Sequence, residues 1–217
     1  MTAALLTILV SSFVIALSGA MMPGPLMTAT IGESARLGFV TGPLLVTGHA
    51  LLEAALIAAL FLGLAPLMGS GAFFAFTALV GAAILLWMAV GMFRSLPGLQ
   101  LSTVQGPVMR HHPVVSGILL SLANPYWFIW WATVGTGYIL YASRYGPPGV
   151  AAFFTGHILA DLAWYSLLSA AVAGGRRFLS DGLYRGVIAF CASFLAVFAC
   201  FFAWAGVDKV RHLAFSP

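Results

Sequence analysis

Nearly unbroken apolar stretches cover residues 4–30, 38–66, 72–93, 113–141, 148–173 and 186–206. Each reaches or exceeds the roughly 20 residues an α-helix needs to cross the hydrocarbon core. The pattern predicts an all-α integral membrane protein of six transmembrane helices, with almost no chain left for a soluble domain. Polar positions inside these stretches are few, and they recur. Thr47-Gly48-His49 leads to Glu53 as Thr155-Gly156-His157 leads to Asp161, at a constant offset of 108. Leu51 and Leu60 meet Leu159 and Leu168 at the same offset. Upstream, Pro23 in AMMPGP faces Pro125 in LANPYW at an offset of 102. Two matches in one order, on corresponding stretches, imply an internal duplication.

Each copy then holds three helices, an odd number, so the second copy enters the membrane from the opposite side to the first. This is the inverted-topology repeat of many secondary transporters, with the site near midplane where the copies meet. The expected division is a single membrane domain over residues 1–217: a first repeat at about 1–95, a cytoplasmic linker at about 95–112 and a second repeat at about 113–207. Arg36, Arg94, Arg110, Arg176, Arg177 and Arg185 fall on the side of the first, third and fifth loops, and Arg144, Lys209 and Arg211 on the other. The positive-inside rule places the odd loops in the cytoplasm. The first apolar run ends in small residues, as a signal peptide does, but no Lys or Arg precedes it and it has a counterpart later in the chain. It is read as a retained helix.

Composition agrees with the pattern. Of 217 residues, 62% are hydrophobic and 6% charged, and mean hydropathy is +1.05. The net charge of +4 comes from too few residues to form a basic face interleaved with aromatics, so nucleic acid is not an expected partner. Cys191 and Cys200 share the last apolar stretch without CxxC spacing and are read as core.

Within the membrane, prolines and ionisable groups carry the chemistry. Pro23, Gly24 and Pro25 break the first helix, and Asn124 and Pro125 the fourth, because an interior proline removes a hydrogen bond and frees the carbonyl four residues back. Such breaks persist where protein or a polar cavity covers them. The amides that open each half-helix then attract a carboxylate. Glu53 and Asp161 lie some 13–15 residues into their helices, about 20 Å deep at 1.5 Å per residue, where a bare carboxylate is costly. The i, i+4 spacing sets His49 beside Glu53 and His157 beside Asp161, so each acid has a partner able to take up or release a proton. His49, Glu53, His157 and Asp161 are therefore the expected substrate-binding and proton-coupling residues. Two alternatives remain open: a mutually satisfied polar pair that only joins helices, and a divalent cation bound by the same four side chains.

Gly48 and Gly156 leave room for a neighbouring helix or a ligand, and with Tyr126 and Trp127 are expected to wall the cavity. Trp130 and Trp131 are expected to anchor at the membrane interface. Glu33 and Arg36, at i, i+3, form an interfacial ion pair or a gate. Gly174-Gly175-Arg176-Arg177 reads as a helix stop with cytoplasmic anchors. No HExxH and no Ser-His arrangement points to an enzyme.

A first helix broken by Pro23-Gly24-Pro25, a glycine-rich second helix, a basic loop between halves and Asn124-Pro125 in the fourth helix together resemble the lysine exporter (LysE/RhtB) superfamily of amino-acid translocators. The likeness spans nearly the whole chain. It implies a secondary transporter, not an enzyme, that exports amino acids or similar small zwitterions across a prokaryotic cytoplasmic membrane without a cofactor, coupled to protons and working as a homodimer. Tyr126 departs from the Asn-Pro-Lys found in many members, and the doubled Thr-Gly-His with an acid is not a feature of the characterised amino-acid exporters. A divalent metal cation exporter of the same fold is the alternative.

Overall fold

The computed structural model describes residues 2–68, 70–98, 111–175 and 180–215. Helix α1 (Thr2–Ala20) is followed, after a break, by α2 (Pro25–Leu37) and then α3 (Thr41–Ala59). A π turn (Leu60–Leu64) leads from α3 to the short α4 (Ala65–Met68), and α5 covers Gly71–Ser95. The second part of the chain holds α6 (Pro113–Leu122), α7 (Pro125–Trp130), a π turn (Trp131–Gly135), α8 (Thr136–Ser143), α9 (Gly146–Gly175) and α10 (Asp181–Phe215). No strand occurs among the described residues.

Among the described residues, five helices are long and apolar enough to cross a membrane, and the bent pair Pro113–Leu122 and Pro125–Ser143, kinked by 67°, makes a sixth if counted as one span. The first stretch differs from expectation: α1 alone has the length and hydropathy of a span, and α2 is a separate helix beyond the break. Arg110, Arg176 and Arg177, and most of the proposed linker, lie outside the described residues.

Both breaks follow from proline chemistry. Pro25 and Pro125 each occupy the first turn of a new helix, where the missing N–H costs nothing because that amide has no intrahelical partner. Gly24 and Asn124 are the extended N-caps, at φ −148° and −96°. Pro25, rather than Pro23, stands at a helix start as Pro125 does, and the first break is the longer. Two carbonyls expected to be freed are reclaimed by the breaks: Met22 N donates to Gly19 O and Asn124 N to Ser121 O, both at 3.1 Å.

The helices pair across the two parts of the chain. Helix α1 packs along α9, α3 along α6 and α5 along α10, while α2 and α3 both also lie against α9. The α5–α10 pair forms a layer of alanines (Ala78, Ala82, Ala199) locked by Leu85, Leu195 and Phe202. That layer supports the second break, since a Cβ on Gly81 would stand 2.3 Å from Pro125 Cβ; only glycine lets α7 start there. Cys191 is buried as expected, but Cys200 is exposed, on the outward side of α10.

Candidate functional site

The close approach of α3 to α6 and of α1 to α9 is written in glycine. A Cβ on Gly48 would fall 1.8 Å from Val114 O, and one on Gly156 would fall 2.2 Å from Leu9 O. Gly117 is equally tight, 2.1 Å from Leu45 O. Neither Gly48 nor Gly156 lines the internal cavity, which corrects their assignment as cavity wall: they seat helix on helix, with main chain against main chain. Thr47 donates to Pro43 O at 2.8 Å within its own helix.

This packing brings the two ionisable pairs together. His49, Glu53, His157 and Asp161 are all buried, and one donor atom from each lies within 4.8 Å of every other. His49 Nε2 stands 3.1 Å from Glu53 Oε1 and 3.6 Å from Asp161 Oδ2, and His157 Nε2 stands 2.9 Å from Glu53 Oε2 and 3.7 Å from Asp161 Oδ2. Each histidine thus meets both acids, its own and that of the other half. Glu53 Oε1 also accepts from the indoles of Trp127 at 3.0 Å and Trp131 at 2.7 Å. Asp161 Oδ2 and Glu53 Oε2, though near imidazole nitrogens, have no aligned hydrogen-bond donor.

The histidines are held differently. His49 Nδ1 lies 2.7 Å from Ser121 Oγ, and that hydroxyl donates to Gly117 O at 2.7 Å. The single Ser121 proton is committed to Gly117, so Ser121 accepts from His49, and Nδ1 carries the hydrogen. His157 Nδ1 has no partner; its ring is fixed by Trp130 at 4.8 Å and by stacking on Phe153 at 5.8 Å.

The cluster opens onto a cavity of about 60 Å³ lined also by Gly24, Leu26, Asn124, Tyr126, Trp127 and Tyr165. Tyr126 and Trp127 line it, and Gly24 and Asn124 bring both breaks to it. Asn124 Oδ1 caps its own helix by accepting from Tyr126 N at 3.1 Å, whereas α2 begins with no side-chain cap. Trp130 and Trp131 are 7% and 0% exposed. They do not anchor at an interface: Trp131 supplies an indole N–H to the buried Glu53 carboxylate, which needs donors, and Trp130 packs on the His157 ring. Glu33 and Arg36 form an ion pair at 2.9 Å and do not line the cavity.

Trp131, Trp130, Ser121 and Tyr165 are the site residues that sequence reasoning missed. The signal for Ser121 was its place one helical turn before Pro125 in a stretch with no other use for a hydroxyl. For Trp131 it was the i, i+4 spacing from Trp127.

The chain matches the family model described as LysE type translocator over residues 17–206. No curated protein and no solved structure matches it. The match covers both breaks, all four clustered ionisable residues and most of the helices, and it accords with a multi-pass helical membrane protein that moves molecules rather than transforming them: the chain belongs to the LysE type translocator family.

Proposed function

We propose that the protein exports an amino acid or similar small zwitterion across a prokaryotic cytoplasmic membrane, using the proton gradient. The observation that carries this reading is the meeting of His49, Glu53, His157 and Asp161 in one buried cluster beside an uncapped helix start. Gly24 and Leu26, at the start of α2, line the same cavity, and the amides of a helix's first turn, which have no intrahelical partner, suit a carboxylate. Glu53 and Asp161 suit an ammonium. The corresponding end of α7 is already capped by Asn124, so a single carboxylate position, not two, fits the zwitterion.

A cavity of about 60 Å³ admits a few waters or one ion and is too small for an amino acid, so this conformation is the closed one. Opening requires α1, α2 and α9 to move against α3 and α6. In the closed state the histidines and acids neutralise one another; a substrate that enters displaces protons from them, and protons that return displace the substrate. The Glu33–Arg36 pair, within the last turns of α2, is the proposed gate at the entrance and travels with that helix.

The inverted-repeat reading is supported by paired contacts. Leu9 meets Gly156 as Val114 meets Gly48, and Ser12, which donates to Phe153 O, matches Gly117, which abuts Leu45 O. Leu9 and Val114 are 105 positions apart, as are Ser12 and Gly117, while Gly48 and Gly156 are 108 apart, as are Leu45 and Phe153. Exchange of the halves thus maps one set of contacts onto the other, which suits a carrier that alternates between two mirrored states. Odd loops facing the cytoplasm and a homodimer complete the proposed arrangement.

The test is export from proteoliposomes under an imposed pH gradient. The double variant Glu53→Gln, Asp161→Asn, checked for a folded state by size exclusion, should lose proton-driven efflux altogether. Efflux at the unaltered rate would overturn the mechanism.

A further inference from the structure

The internal chemistry of the cluster leaves a specific vacancy in charge. Because Ser121 gives its proton to Gly117 O and accepts from His49 Nδ1, a neutral His49 turns the lone pair of Nε2 toward Glu53 Oε1, 3.1 Å away. Two acceptors do not face each other in a buried site without a cation between them. Glu53 Oε2 and Asp161 Oδ2 are likewise buried with no aligned donor. With both imidazoles neutral and both carboxylates ionised, the four side chains carry two negative charges. The centre must therefore take up either protons or a single divalent ion.

We propose that these four side chains form a binding site for a divalent transition-metal ion of the zinc type, held by His49 Nε2, His157 Nε2, Glu53 Oε2 and Asp161 Oδ2. With bonds of about 2.0–2.2 Å, the donors of a tetrahedral site stand about 3.3–3.6 Å apart. The donor pairs measure 2.9 Å for His157 with Glu53, 3.6 Å for His49 with Asp161 and 3.7 Å for His157 with Asp161. The remaining pairs lie within 4.8 Å, so the four side chains draw in around the ion by up to about 1.5 Å. The supporting contacts are those a metal site uses. Ser121 fixes the tautomer and orientation of His49, and the indoles of Trp127 and Trp131 occupy Glu53 Oε1 and so leave Oε2 for the ion. Two imidazoles and two carboxylates favour zinc, cobalt or nickel over magnesium or calcium, which prefer an all-oxygen shell. The cavity of about 60 Å³ accepts such an ion without opening.

The bound ion occupies the centre that export would use, so it inhibits export; this consequence rests on the transport reading, while the binding itself does not. The test uses the full chain, purified metal-free in detergent and titrated with Co²⁺ and with Zn²⁺. The expected result is one ion per chain, the intense visible absorption of tetrahedral Co²⁺, and a change in tryptophan fluorescence from Trp127 and Trp131. His157→Ala and His49→Gln should each weaken binding at least 100-fold, Ser121→Ala about 10-fold, and His111→Ala should leave it unchanged. Absence of saturable binding by the folded wild-type chain would overturn the proposal, as would binding that survives His49→Gln combined with His157→Ala. Proton-driven efflux measured on the same preparation separates the two readings: efflux without metal binding defeats only the metal site, and metal binding without efflux defeats only the transport mechanism.

Discussion

The two halves of the site come from the same sequence motif and are supported unequally. On α3, Glu53 accepts from two indoles and lies close to both imidazoles, and His49 is tied to Ser121. On α9, Asp161 approaches the imidazoles only at 3.6 and 3.7 Å, and His157 Nδ1 has no partner. The difference arises outside the motif. The helices that face α3 carry Ser121, Trp127 and Trp131; the corresponding first-half position to Ser121, by the 105-residue spacing that relates Leu9 to Val114, is Ala16. The repeated motif holds two similar ionisable pairs, His49-Glu53 and His157-Asp161, and their unlike neighbours make one a fixed anchor and leave the other loosely held.

The contrast shows first in the acids. Glu53→Gln removes the charge that both histidines and both indoles address, and should cost about 3–5 kcal/mol of stability as well as all transport, as expected when one member of a buried charge network is removed. Asp161→Asn, with its longer contacts, should cost about 1–3 kcal/mol. Thermal unfolding in detergent, followed by tryptophan fluorescence, measures both; equal losses would erase the distinction between anchor and loose partner.

The glycines test the opposite property, the sameness of the halves. Gly48→Ala and Gly156→Ala each force a methyl into a facing carbonyl, at 1.8 and 2.2 Å in the unrelaxed packing. Each should destabilise by about 1–3 kcal/mol through separation of the helices, with comparable loss of monodisperse protein on size exclusion. A harmless substitution at one position and a severe one at the other would break the paired-contact argument for two equivalent halves.

What could be read from the sequence follows the same division. The His-acid pairs were legible because i, i+4 spacing fixes their shared face whatever surrounds them, and the breaks because proline acts locally. The role of Gly48 and Gly156 stayed open, since a bare helix face serves a ligand and a neighbouring helix equally well until packing decides. The tryptophans were misread for a third reason. In a membrane helix an indole ordinarily marks the interface, and nothing in YWFIWW states that Trp130 and Trp131 turn inward. The π turn at Trp131–Gly135 begins at the second of these residues and shifts the helical phase there, with Thr136 Oγ1 reaching back to Trp131 O at 2.6 Å. Such a turn often accompanies a functional site, but helical periodicity alone does not reveal it.

The smallest effects bear on the histidines and are the most discriminating. Ser121→Ala deprives His49 Nδ1 of its acceptor in a buried setting and should cost about 1–2 kcal/mol. Ala16→Ser offers the reverse: a hydroxyl at the position equivalent to Ser121, on the helix that packs along α9, within the same cavity lining as His157. If the halves are related as the paired contacts indicate, the new hydroxyl gives the orphaned His157 Nδ1 a partner and raises stability by about 0.5–1 kcal/mol, with no gain when His157 is already replaced by Ala. The double-mutant comparison is the decisive step, because a serine that stabilised through its own helix would do so whether or not the imidazole were there. A gain that persists without His157 would place Ala16 outside the symmetry, and with it the claim that the weaker half-site can be completed from the stronger one's plan.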